Sequence, residues 1–354
     1  MPAVKALVKT RPEPGLDLLD VAEPTPGPGE VLLQVDTAAV CGSDVARFRW
    51  AREYQPGGAK AMGRDLPRIL GHGYAGTVVG VGGGADSAAE TGVAVGDRVT
   101  VQNVIGCWQC PACLAGLPNA CDRRRTLGVH LDGGYAERAV VPARNCSPMP
   151  DAMDFPVGAA LHAFAIATYA VDHAELRPGE RIVIWGAGRV GIAVLLAARL
   201  RGIDDALVID RAPDRLATVA ELGADTLLVG DRIDDGTLAD RVGAHAVDAV
   251  FEAAGVPASV PVSLPALRRR GPMVLIGNMS SAEPLDLLPL IMDQQRLIGT
   301  RSYSLAAWHT ALRTAVRSGF AGTLGDEVDI ADAPARFERA AEGVGGPFSV
   351  TLRR

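Results

Sequence analysis

Four cysteines crowd one short run, CWQCPACLAGLPNAC: Cys107, Cys110, Cys113 and Cys121, spaced C-x2-C-x2-C-x7-C. Four thiolates this close in sequence can converge on one tetrahedral Zn2+, and a closed all-sulfur set is what a structural zinc takes. Two disulfides or four free thiols are the alternatives. C-x-x-C runs in a chain whose start, MPAVKALVKTRPEPG, has no apolar signal region read as metal ligands before disulfides. One structural zinc per subunit is expected.

A second constellation follows. Gly186, Gly188 and Gly191 form G-x-G-x-x-G, directly after the apolar run RIVIW and opening the helical pattern IAVLLAARLRG. That context is the one a dinucleotide-binding turn requires. Gly186 allows the tight turn, Gly188 lets backbone approach a pyrophosphate, and Gly191 lets helix pack on strand. Arg189 and Val190 begin the helix, whose free N–H groups and positive dipole end suit phosphates. Asp210 ends the next strand at the spacing of a ribose-binding acid. Its carboxylate would repel a 2′-phosphate and so favours NAD. Arg211 and Arg215 could hold that phosphate and leave NADP open. A loop that binds nothing, with Asp210 as a helix cap or solvated strand end, is the bland alternative.

These residues need a scaffold. The first part reads as short strands broken by Pro and Gly: VKALVKT, EVLLQVDTAAV, AGTVVGVGGG and GDRVTVQ. A helix-like stretch, GAALHAFAIATYAVDHA, leads into RIVIW. From there strand and helix alternate through ALVID, DRLATVAELGA, TLLVG, VDAVFEAAG and PMVLIGN, which implies a doubly wound parallel sheet. The chain ends on a helix, AAWHTALRTAVRSG, and a strand, FSVTLRR. The fold class is α/β with two domains.

Composition excludes other classes. The 354 residues carry 21% charged and 48% hydrophobic side chains and a net charge of −6. That is an ordinary globular profile with no basic footprint for nucleic acid. No uninterrupted apolar run reaches membrane-spanning length. A cytoplasmic protein acting on a small molecule, without nucleic-acid or membrane partners, is expected.

Several motifs in this order resemble the zinc-containing medium-chain dehydrogenase/reductase family of alcohol, polyol and threonine dehydrogenases. They are CGSD at Cys41–Asp44, GHGYAGTVVGVG at Gly71–Gly82, the four-cysteine lobe, DGGYAE at Asp132–Glu137, and GAGRVG. The resemblance covers essentially the whole chain. It implies a GroES-like catalytic domain, residues 1–152 and 293–354, with the zinc lobe at about 105–123. It also implies a Rossmann domain at 153–292, an active site in the cleft between the two, and a homodimer or homotetramer. In the family a catalytic zinc takes the Cys of CGSD and the His of GHE, here Cys41 and His72. Asp44 would orient the histidine, and Ser43 would pass the alcohol proton.

At three positions the chain departs from that pattern. The glutamate of GHE is Gly73, the third ligand on the long helix maps to Ala163, and the relay histidine maps to Ala46. Two ligands make a poor catalytic zinc site. His162 lies next to Ala163, but a shift of one residue turns a helical side chain by about 100°. It is therefore expected to be a hydrogen-bonded core histidine, with Glu53 or Asp65 of the 51–65 insertion as other candidate ligands. His130 sits in a strand-like run before DGGY, His173, His245 and His309 read as surface or helix-face residues, and Cys146 as a small buried apolar one. The expected activity is NAD(P)-dependent hydride transfer between nicotinamide and an alcohol or ketone. The damaged site keeps two alternatives open: a zinc-independent reductase of an iminium or enone, and a non-catalytic dinucleotide-binding protein. Close to one zinc per subunit is expected.

Overall fold

The computed structural model of the chain describes residues 2–55, 66–83, 92–230, 237–279 and 281–352. The chain divides into two compact units. One comprises Met1–His162, Ser304–Val316 and Leu324–Arg354; the other comprises Ala163–Tyr303 and Arg317–Thr323. The breaks fall at 162/163 and 303/304, where the sequence suggests 152/153 and 292/293. Part of the shift has a visible cause. The opening turns of the helix Phe155–Ala174 stay with the first unit, where Thr100 Oγ1 donates to the Gly158 carbonyl at 2.6 Å.

The first unit begins with β1 (Ala3–Lys9), β2 (Asp17–Ala22), β3 (Glu30–Ala39), β4 (Arg68–Ile69) and β5 (Gly73–Val81). It continues with β6 (Arg98–Val101), β7 (Val104–Ile105), β8 (Arg125–Thr126), β9 (Arg138–Pro142) and β10 (Cys146–Pro148). The second unit holds β11 (Ile182–Trp185), β12 (Ala206–Asp210), β13 (Asp225–Leu228), β14 (Ala249–Glu252), β15 (Pro272–Leu275) and β16 (Arg296–Gly299). Then β17 (Asp326–Asp329) and β18 (Phe348–Thr351) return to the first.

β3 is the hub of the first unit's main sheet, whose order is β10-β6-β5-β3-β18-β17, with β9 also on β3. Its alternation explains this. Val31, Leu33 and Val35 face inward and are fully buried, while Gln34 faces out. The antiparallel register of β3 with β5 runs from Val31 opposite Val81 to Ala39 opposite Gly73. That pairing sets the end of β3 beside the start of β5. It therefore brings Cys41 and His72 together across 31 residues of chain.

The second unit is a six-stranded parallel sheet, order β13-β12-β11-β14-β15-β16. β11 and β12 are buried along their whole length, as inner strands covered on both faces must be. The order reverses at β11, and in such sheets ligands bind beyond the carboxyl ends of the strands at that point. The 20-residue helix Phe155–Ala174 is apolar enough to cross a membrane by length and composition alone, but 72% of its apolar window is buried in the protein.

Candidate active site and metal centres

Cys41 sits at the N-cap of the short helix Gly42–Phe48. Asp44, fully buried in its first turn, closes the cap: its Oδ2 accepts the Cys41 N–H at 3.0 Å. Its Oδ1 accepts from His72 Nδ1 at 2.9 Å and from Arg47 Nη1 at 3.2 Å. Arg47 in turn lies over the Tyr54 ring, 5.0 Å from its centroid. Burial works against an ionised Asp44, but His72, Arg47 and the Cys41 amide outweigh it and hold the carboxyl at about 2. Burial likewise works against a protonated His72, and Asp44 more than offsets it, raising the imidazole. A carboxylate on Nδ1 fixes the ring's orientation, leaves Nε2 as the outward nitrogen and increases its basicity.

His162 is buried and hydrogen-bonded, as expected of a core histidine, and it also reaches the Cys41 cluster. Its Nε2 lies 3.0 Å from Cys41 Sγ. Nδ1 is 3.2 Å from the Ala159 carbonyl, which can only accept, so Nδ1 carries the hydrogen and Nε2 the lone pair. The His72 and His162 rings meet edge to face, with centroids 4.8 Å apart. One donor atom from each of Cys41, His72 and His162 lies within 4.8 Å of the others. A thiolate and two imidazoles are zinc donors, and three protein ligands with a position left over is the pattern of catalytic zinc. The residues present therefore fit the cation. The 100° argument fails because position 73 offers no side chain to compete for the space.

The other expected positions fall as follows. Ala163 is fully buried, and the nitrogen comes from its neighbour. Ser43 is half-buried in the first turn of the Cys41 helix, and Ala46 is half-buried one turn on. Glu53, in the 3-10 turn Arg52–Tyr54, is not part of the donor cluster, and Asp65 lies outside the described residues. His130 turns inward locally, its Nδ1 accepting from the Thr126 amide at 3.0 Å. His309 and His245 are exposed, and His173 meets the Tyr169 ring edge to face. Cys146 is buried, which pushes its thiol up to about 12 and leaves it inert. The zinc-independent reductase finds no support here: a third candidate donor, His162, stands beside Cys41 and His72.

The four-cysteine lobe closes on itself. β7 and β8 pair at its neck, Val104 opposite Thr126 and Ile105 opposite Arg125. Pro111 starts the turn of helix Pro111–Leu114 that carries Cys113, and the 3-10 turn Pro118–Ala120 delivers Cys121. The sulfurs of Cys107, Cys110, Cys113 and Cys121 all lie within 4.8 Å of one another, and none is in a disulfide. Tetrahedral Zn–S bonds of about 2.3 Å place sulfurs about 3.8 Å apart, so the set is close to its liganded spacing. Amides of Gln109 and Cys110 lower the Cys107 thiol to about 6, so a thiolate forms there at neutral pH. Burial raises Cys113 to about 11, and a bound cation would displace that proton.

In the second unit the glycine turn has the three properties its spacing predicts. Gly186 has φ of +102°, a conformation that favours glycine. A Cβ on Gly191 would lie 1.8 Å from the Gly186 carbonyl oxygen, so helix and turn pack through that gap. A Cβ on Gly188 would meet nothing within 4 Å, so the space in front of it is open. Gly188 caps the helix Arg189–Arg199, with Arg189 and Val190 as its first residues. Asp210 does something its spacing did not announce. Its Oδ2 accepts the Ala187 amide at 2.7 Å and its Oδ1 the Ala212 amide at 2.9 Å. It is buried and neither stands at the N-cap of the next helix, which is Ala212, nor sits in solvent. Arg211 is exposed, and Arg215 is half-buried in the first turn of the helix Pro213–Glu221.

Known proteins show the same combination. Residues 27–151 match the alcohol dehydrogenase GroES-like domain, and residues 190–317 match the zinc-binding dehydrogenase domain. The chain is 31% identical to starvation-sensing protein RspB of Escherichia coli K12 over 75% of this chain and 74% of that one. It is 31% identical to L-threonine 3-dehydrogenase of Pyrococcus abyssi over 87% of this chain and 86% of that one. Among solved structures, a cobalt- and zinc-bound thermostable alcohol dehydrogenase from Pyrobaculum aerophilum superposes with a TM-score of 0.81 at 29% identity, over 99% of this chain and all of the other. With a GroES-like β unit, a doubly wound dinucleotide-type unit and relatives of this kind, the chain belongs to the zinc-containing medium-chain dehydrogenase/reductase family and is an NAD(P)-dependent dehydrogenase.

Proposed function

We propose that the protein oxidises a small alcohol or polyol, or reduces the matching ketone, with NAD as hydride carrier and a zinc held by Cys41, His72 and His162. The convergence of those three donors within 4.8 Å carries the reading. Zinc at such a site supplies Lewis acidity, lowering the pKa of an alcohol hydroxyl or polarising a carbonyl. The chain's own residues do the rest. Asp44 holds the His72 ring through Nδ1, and Arg47 keeps Asp44 ionised. Ser43, in the same turn, would relay the alcohol proton by giving up its own hydroxyl proton to solvent, and NAD, when bound, would supply the hydride acceptor. The helix start at Gly188–Val190 receives the pyrophosphate. Asp210 selects NAD because a buried carboxylate repels a 2′-phosphate.

A second zinc is structural and sits in the Cys107–Cys121 lobe. The protein works as a homodimer or homotetramer in the cytoplasm. An association surface is supported by Leu287, Leu288, Ile291 and Met292, all more than half exposed on one short helix. Beside it in sequence, β16 is an edge of the parallel sheet.

The test is NADH formation at 340 nm over short secondary alcohols, vicinal diols, polyols and L-threonine. Zinc-dependent turnover of at least one class is expected. Turnover that persists after the Cys41 site has been stripped of metal would overturn the reading.

A further inference from the structure

His162 reaches the Cys41–His72 pair through a gap. A Cβ built on Gly73 would lie 2.1 Å from His162 Nδ1 and 2.2 Å from its Cε1, far inside any tolerable contact. The imidazole thus fills the volume that a side chain at position 73 would claim. Backbone geometry does not call for glycine there. Gly73 opens strand β5 and, unlike Gly71 two residues earlier with φ of +91°, is not in the left-handed region. What the chain uses at position 73 is the missing side chain.

We propose that Gly73 and His162 act as one unit, in which glycine at 73 admits His162 as third ligand of the cation held by Cys41 and His72. This rests on the metal site proposed above and adds the residue that makes it possible. The ring is aimed by its own helix, since Ala159 O fixes Nδ1 and turns Nε2 to Cys41 Sγ. Exchange of a carboxylate-bearing residue at 73 for an imidazole from the facing helix also changes the charge. One thiolate and two neutral imidazoles leave a divalent cation with a net charge of about +1. The carboxylate hydrogen-bonded to the His72 ring, Asp44, is already shared with Arg47. The nitrogen and sulfur donors favour zinc or cobalt over magnesium or calcium.

The experiment counts zinc per subunit in desalted holoenzyme by mass spectrometry. It then titrates Co2+ and Zn2+ into the stripped Cys41 site, read by the cobalt–thiolate absorption. Wild type should hold about two zinc ions per subunit, one of them in the lobe. Only one zinc in wild type, with the lobe filled, overturns the metal reading itself. Given two, Gly73→Ala and His162→Ala should each weaken the Cys41 site at least about 100-fold while the lobe keeps its zinc. The double variant should bind no worse than either single one, because each change removes the same interaction. Gly73→Ala with two zinc ions and an unchanged cobalt spectrum overturns the pairing, and so do losses that multiply. A Cβ at 73 would also come within 2.7 Å of the Ala159 carbonyl, so Gly73→Ala alone could fail to fold. The double variant then decides. If it folds, the ring was the obstacle; if it fails like the single, the carbonyl was, and the pairing is wrong.

Discussion

The chain gathers candidate metal donors in two ways. The lobe takes all four sulfurs from one stretch, Cys107 to Cys121, and closes it with a two-residue strand pair. The Cys41 cluster takes one donor from a helix cap, one from the turn before β5 and one from a helix 121 residues downstream. Local sites depend on spacing and tolerate surroundings. Dispersed sites depend on strand register and helix facing, so changes at residues that bind nothing, such as Gly73, alter them.

Exchanging one ligand in each region tests that contrast most severely. Cys41→Ser should lower turnover by about 10^3-fold, the several kcal/mol a Lewis acid supplies, with little effect on melting. Cys113→Ser should do the reverse: the lobe zinc is lost and the melting temperature falls, while NAD affinity stays within about threefold, because the cofactor turn stands on its own sheet. Calorimetry, metal counts and steady-state rates on both variants check this. If Cys113→Ser abolishes NAD binding, the two regions are not separable in this way.

Asp44→Asn sharpens the dispersed side alone. Losing the charge that raises His72 should weaken zinc at the Cys41 cluster by about 10- to 100-fold and leave the lobe untouched. Equal loss at both sites would count against the assignment of Asp44. Smaller still, Asp210→Ser should shift the NADP-to-NAD preference by about tenfold toward NADP, read from the two kcat/KM values. Wild type preferring NADPH would show that Arg211 or Arg215 has outweighed the carboxylate.

The smallest effect belongs to a residue in neither region. Burial lowers Lys9 to about 8 from 10.5, although its ammonium donates to the Glu13, Gly15 and Phe48 carbonyls. Between those values the unfolded chain holds a proton that the folded one has released. Stability therefore rises with pH across that window, is complete above 10.5, and declines as pH falls toward 8. Relative to Lys9→Met, wild type should gain stability steadily across the window in urea titrations. A flat difference would mean that the lysine stays charged.

What the sequence revealed follows the same division. The lobe, the glycine turn and the strand–helix alternation are encoded in spacings shorter than about twenty residues, and each was readable. Cys41, His72 and Asp44 could be picked out by motif, yet their mutual hydrogen bonds come from the Ala39–Gly73 register and the capping turn. The reach of His162 toward Cys41 is not legible from helical phase relative to Ala163, which takes no account of the space around the ring. A glycine facing the helix from another strand changed that space, and nothing in the local pattern reports which residues face each other. The only available hint was the coincidence of a side chain missing at 73 and an imidazole present at 162.

Asp210 carries a consequence for how this protein could change cofactor. The residue proposed to discriminate against a 2′-phosphate also ties Ala187, inside the glycine turn, to Ala212, the N-cap of the next helix. Recognition and bracing share one carboxylate. A mutational route to NADP that simply discards it unfastens one buried and one half-buried amide at the same moment, so an early step should look worse with both cofactors before it looks better with one. Routes that keep Asp210 and recruit Arg211 or Arg215 first avoid that valley, and a directed-evolution lineage selected on NADP should enter there.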